Sequence, residues 1–136
     1  MPLSKLDLTR PTAIPRAGGL RKAALAAFMG YLCLLSYLSL VPVVPGAAEI
    51  SDKTLHFIAY GGLATLAAAA WPKAALLPMF IVLSAIGGLL ELTQGVLNLG
   101  RVASFGDQIA NMGGVALALL LWILLVWLIT AFTQKS

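Results

Sequence analysis

The sequence predicts an all-α polytopic membrane protein, a bundle of four transmembrane helices with both termini on the cytoplasmic side. Three observations predict it. Of 136 residues, 60% are apolar and only 10% are charged, against roughly 25% charged in a soluble domain. The charges leave four uncharged runs, residues 23–48, 54–72, 74–90 and 108–134, each close to the ~17–25 residues that a spanning helix needs. None of these runs has the alternating polarity of a strand. With a mean hydropathy of +0.96, the composition excludes a soluble enzyme, a disordered chain and a disulfide scaffold. The lone Cys33 has no partner for an internal disulfide and reads as a small residue of an apolar run.

The chain begins with a basic tail, residues 1–22. Pro2, Pro11, Pro15 and Gly18-Gly19 interrupt any apolar period there and predict an irregular segment. Residues 23–136 form the membrane domain. A first helix near 23–44 ends at Pro42, Pro45 and Gly46, because proline disfavours helix in the residue before it. Its apolar run is longer than the ~7–15 residues of a signal-peptide core, so it is read as a retained helix. A second helix near 54–72 and a third near 74–94 meet at the tight turn Trp71-Pro72-Lys73, and a fourth covers 107–132.

Orientation follows from Lys and Arg. Lys5, Arg10, Arg16, Arg21, Lys22, Lys73 and Lys135 fall on one side of this scheme, and Lys53 and Arg101 on the other. The richer side is cytoplasmic by the positive-inside rule. That accounts for the net charge of +4 without nucleic acid as a partner. Trp71 and Trp127 then lie near the cytoplasmic interface, where indoles anchor helices.

The remaining polar groups gather at the opposite end. His56 lies 17 residues before Lys73 and Glu91 18 after it, so at ~1.5 Å per residue both rise ~25–27 Å from the turn to one depth. Asp52, His56 and Tyr60 recur every four residues, Glu91 and Gln94 are three apart, and Asp107, Asn111 and Gly114 follow an i, i+4, i+7 pattern. Each set occupies one helical face. Gly61-Gly62, Gly87-Gly88 and Gly113-Gly114 let these faces approach. The expectation is an outward-facing polar pocket in the plasma or inner membrane.

The stretch Asp52-Lys53-Thr54-Leu55-His56-Phe57-Ile58-Ala59-Tyr60 resembles the first motif of the VanZ-like family of bacterial membrane proteins. Glu91-Leu92-Thr93-Gln94 resembles the second, and Gly100-Arg101-Val102-Ala103-Ser104-Phe105-Gly106-Asp107 with Asn111 and Gly114 the third. The likeness covers 51–114. It implies a membrane protein of the cell envelope, in a family named for a protein associated with teicoplanin resistance, and it implies no particular reaction.

Ionisable groups inside a span mark function by default. The candidate ligand-binding residues are Asp52, Lys53, His56, Tyr60, Glu91, Gln94, Arg101, Ser104, Asp107 and Asn111. Arg101 is suited to a bidentate clamp on phosphate or carboxylate. Asp52 and Asp107 also stand at helix starts, where Ser51 or Asp52 and a Ser104-x-x-Asp107 box are capping candidates. Glu91 has a structural alternative, a salt bridge to Lys53 or Arg101. One histidine with scattered carboxylates lacks zinc-site spacing, so no metal ligands and no cofactor are assigned.

Three functions compete. The leading one binds or modulates an anionic lipid or lipid-linked envelope precursor, with a link to envelope or glycopeptide tolerance and with envelope-synthesis proteins as further partners. The second is a lipid-directed hydrolase or transferase using His56, Glu91 and Asp107. The third is a small proton-coupled transporter working as a homo-oligomer, a dimer at the least.

Overall fold

In the computed structural model, residues 18–41, 51–97 and 103–133 are described. They form four helices: α1 (Gly18–Leu40), α2 (Asp52–Ala70), α3 (Leu76–Leu97) and α4 (Phe105–Thr133). Arg101 and tail residues 1–17 lie outside the described residues. Helix α1 begins five residues before the expected 23, so Gly18–Lys22 are helical, and it stops short of Pro42.

Serines set the starts of α2 and α4. Ser51 caps α2, its Oγ accepting from the Thr54 amide at 3.3 Å. Ser104 does the same for α4, accepting from the Asp107 amide at 3.4 Å. At the far end of α2, Arg21 Nε of α1 donates to the Ala70 carbonyl at 3.3 Å, satisfying an otherwise orphaned helix-end acceptor. Trp71 stacks edge-on against Phe28, ring centroids 5.0 Å apart.

Paired contacts give the directions. Arg21 with Ala70 and Tyr31 with Ala59 make α1 antiparallel to α2. Ser84 with Gln108 and Glu91 with Ser104 make α3 antiparallel to α4. His56 with Asn111 and Gly61 beside Gly114 make α2 and α4 parallel. Helices α2 and α4 share the most extensive contact in the fold. A Cβ placed on Gly114 would stand 2.1 Å from the Phe57 carbonyl oxygen, so only glycine lets the two backbones meet there. Tyr60, Leu63, Val115 and Leu119 pack the core on either side.

The four-helix bundle is as expected, but four transmembrane spans are not. Only α1, α3 and residues 105–132 of α4 are long and apolar enough to cross a bilayer. Helix α2 is not. The reason lies in what α2 faces. Asp52, Lys53, His56, two glycines, two threonines and a run of alanines make up most of its 19 residues. It buries Tyr60, Leu63, Ala64, Ala67, Ala68 and Ala70 against its neighbours. A helix that packs against three others needs less lipid-compatible surface. Helix α4 shows the contrast, with Leu117, Leu120, Leu121 and Leu124 all exposed. The chain is a multi-pass membrane protein, with an apolar exterior that water would not tolerate.

Candidate functional site

The polar end of the bundle is built from the first turns of α2 and α4 and the last turns of α3. His56 is its centre, and its side chain is 11% exposed. Its Nδ1 lies 3.0 Å from Asn111 Oδ1 and 3.5 Å from Glu91 Oε1. Both oxygens, as placed, are acceptors, which positions Nδ1 to donate to them. The other ring nitrogen, Nε2, faces Asp52 Oδ1 at 3.9 Å, one helical turn away on α2.

Glu91, 6% exposed, joins three helices. From α3 it offers one oxygen to His56 on α2, and its Oε2 accepts from the Ser104 amide of α4 at 3.2 Å. The expected capping box is therefore half made. Ser104 caps α4, but the Ser104 amide that an acidic third residue would take belongs to Glu91. Asp107 is left 7% exposed, and its Oδ1 has no hydrogen-bond partner among the described residues. One donor atom each from Asp52, His56 and Asp107 lies within 4.8 Å of the others.

Asn111 is fully buried, and its Nδ2 lies 3.5 Å from Gln108 Oε1. Gln108 in turn donates to the Ser84 carbonyl at 3.0 Å. Gly87 makes room for this network, since a Cβ there would sit 2.9 Å from Asn111 Nδ2 and 3.2 Å from Tyr60 Cε1.

The other expected site residues divide. Tyr60 is 1% exposed and belongs to the core. Gln94 donates to the Ser39 carbonyl and ties α3 to α1. Lys53 lies over the start of α4, its Cε 2.8 Å from where a Gly106 Cβ would be. Glu91 pairs with His56 rather than with Lys53. Ser104 caps and orients, and Asp52, His56, Glu91, Asp107 and Asn111 come together.

Two features escaped sequence reasoning. Gln108 holds Asn111, and the Ser104-Gln108-Asn111 spacing of four and three was the available signal. The second is a cleft of about 140 Å³ between α1 and α2 that reaches His56 and Asp52. It is lined by Leu35, Leu38, Ser39, Leu55 and Ala59, so the approach to the polar cluster is mainly apolar. No signal in α1 marked it.

The arrangement can take a proton from a hydroxyl, hold a cation, or polarise an oxygen beside a hydrocarbon surface. No family model, no curated protein and no solved structure matches this chain.

Proposed function

We propose that the protein is a membrane-embedded hydrolase or transferase acting on an ester bond of an anionic lipid or lipid-linked envelope precursor. The observation that carries this reading is the convergence of Asp52, His56 and Asp107 within 4.8 Å. Two further features support it. An apolar cleft lined by Leu35, Leu38, Leu55 and Ala59 adjoins His56 and suits an acyl chain. Lys53 beside the start of α4 and the positive ends of α2 and α4 suit an anionic headgroup.

In this reading the cluster takes a proton from an attacking water or alcohol. The new bond forms at the ester phosphorus or carbonyl carbon, the bond to the departing oxygen breaks, and that oxygen leaves with a proton. Water gives hydrolysis and an alcohol gives transfer. Asn111 and Glu91 hold the imidazole in one tautomer and one orientation. The likeness of 51–114 to VanZ-like motifs supports a cell-envelope setting, with the cluster toward the outer face.

The test is turnover. The purified full chain is reconstituted into vesicles containing a panel of anionic phospholipids and undecaprenyl-linked precursors, with divalent cations present, and lipid composition is followed by mass spectrometry. Loss of one lipid class with wild type, and at least tenfold slower loss with His56→Gln and Asp107→Asn, is the expected result. An unchanged composition with wild type overturns the enzymatic reading. If one lipid then copurifies with the intact protein, a binding or modulating role takes its place.

A further inference from the structure

We infer that Asp52, His56 and Asp107 form a binding site for one divalent transition-metal cation of the manganese or zinc type. The inference concerns the centre described above; its link to catalysis rests on the lipid reading, but the binding itself does not.

The argument begins with the two nitrogens of His56. Asn111 Oδ1 and Glu91 Oε1 both face Nδ1, and an ionised Glu91 carboxylate draws the hydrogen there whichever way the Asn111 amide is turned. In the neutral ring, Nε2 then presents a lone pair. It presents it to Asp52 at 3.9 Å, and a ring nitrogen of His56 lies within 4.8 Å of an Asp107 oxygen. A bare lone pair facing a carboxylate is repulsive, and either a second ring proton or a cation held between the groups relieves it. A ring whose one N–H is held by a carboxylate or carbonyl oxygen, with the other nitrogen facing acids, is the arrangement that second-shell partners impose on metal-binding histidines.

Asp107 is the independent observation. It is 7% exposed, and its Oδ1 is buried with no partner among the described residues. Leaving a charged acceptor so is costly. The cost arises because Glu91 occupies the Ser104 amide, which turns Asp107 from a capping residue into a spare donor beside His56.

The dimensions suit the ion. Tetrahedral bonds of ~2.1 Å put neighbouring donors ~3.4 Å apart, so the Asp52–His56 separation of 3.9 Å needs a small side-chain adjustment. Asp52 and His56 form an i, i+4 clamp on one helix, and Asp107 supplies the third donor from the next. Three protein ligands leave a position for water or a substrate oxygen, as catalytic sites do. Two carboxylates with one imidazole favour Mn²⁺, Fe²⁺ or Zn²⁺ over the all-oxygen preference of Mg²⁺ and Ca²⁺.

The experiment uses the full chain in detergent, stripped with EDTA and exchanged into metal-free buffer. Mn²⁺ is titrated by electron paramagnetic resonance, and Zn²⁺, which binds such sites more tightly, is added in competition. Saturable uptake of one Mn²⁺ per chain, displaced by Zn²⁺, is expected. His56→Gln and Asp107→Asn should each abolish it, and Asn111→Ala should weaken it about 10–100-fold. No saturable uptake by wild type, or uptake unchanged in both ligand variants, overturns the site. Should the variants fail to fold, the wild-type spectrum decides: imidazole nitrogen coupling to bound Mn²⁺ supports the site, and its absence overturns it. The two readings fail separately. Bound metal without lipid turnover removes the enzymatic reading alone, and full turnover by the EDTA-stripped protein removes the metal from the reaction.

Discussion

Glu91 takes the hydrogen bond that would otherwise close the start of α4: the Ser104 amide donates to Glu91 Oε2 at 3.2 Å. The bond crosses from α3 to α4 and replaces a contact that Asp107 would make within its own first turn. Through the same carboxylate, α3 also reaches His56. One buried acid thus fixes both the cap of α4 and the orientation of the imidazole.

Replacing Glu91 should therefore be felt in stability as well as at the site. Glu91→Ala leaves the Ser104 amide without its acceptor and is expected to cost about 1–3 kcal/mol. Glu91→Gln keeps one carbonyl oxygen and should cost less. Thermal unfolding in detergent, followed by helical circular dichroism, gives the order. Equal stability of Glu91→Ala and wild type would show that the bridge contributes nothing to the fold.

The α2–α4 crossing makes a prediction of opposite signs at two glycines. Gly114→Ala drives a methyl group to 2.1 Å from the Phe57 carbonyl, and forcing the helices apart should cost about 1–3 kcal/mol or more. Gly30→Ala meets nothing within 4 Å and should gain up to ~1 kcal/mol from helix propensity. The same melting experiment compares them. A neutral Gly114→Ala would mean that α2 and α4 do not meet in this register.

Membrane placement of α1 is testable through Cys33, which is exposed within a candidate span. It stands seven residues before the last residue of that helix, Leu40, or ~10 Å along the axis. In native membranes a charged, water-soluble thiol reagent should leave it unmodified, and denaturation in SDS should make it fully reactive. Rapid modification in the intact membrane would place this face of α1 in water.

The helices were legible because uncharged runs of spanning length are plain in the sequence. The polar stripes were legible too, since Asp52 with His56 and Asp107 with Asn111 repeat at one helical turn. Nearly equal distances from Lys73 gave His56 and Glu91 a common depth, and the two side chains do meet. What was not legible depends on packing between helices. Counting residues between charges treats alanine, glycine and histidine as equal to leucine, and so made α2 a span. The fate of Asp107 turned on which carboxylate reached the Ser104 amide, a choice set by the register of α3 against α4. The cleft needed the apolar face of α1, which carries no motif.

Helix α2 has its most extensive contacts with α4, and α4 is made after α1, α2 and α3. Between the last residue of α2, Ala70, and Asp107, the ribosome adds 37 residues, which takes roughly 2–7 s at common rates of synthesis. During that interval Asp52 and His56 exist without Asp107 and Asn111, and the Gly61 face of α2 has no Gly114 to meet. The centre is therefore assembled only once α4 has begun to be made. A chain interrupted before α4 carries Asp52, His56 and Glu91 without the two α4 residues that complete the cluster.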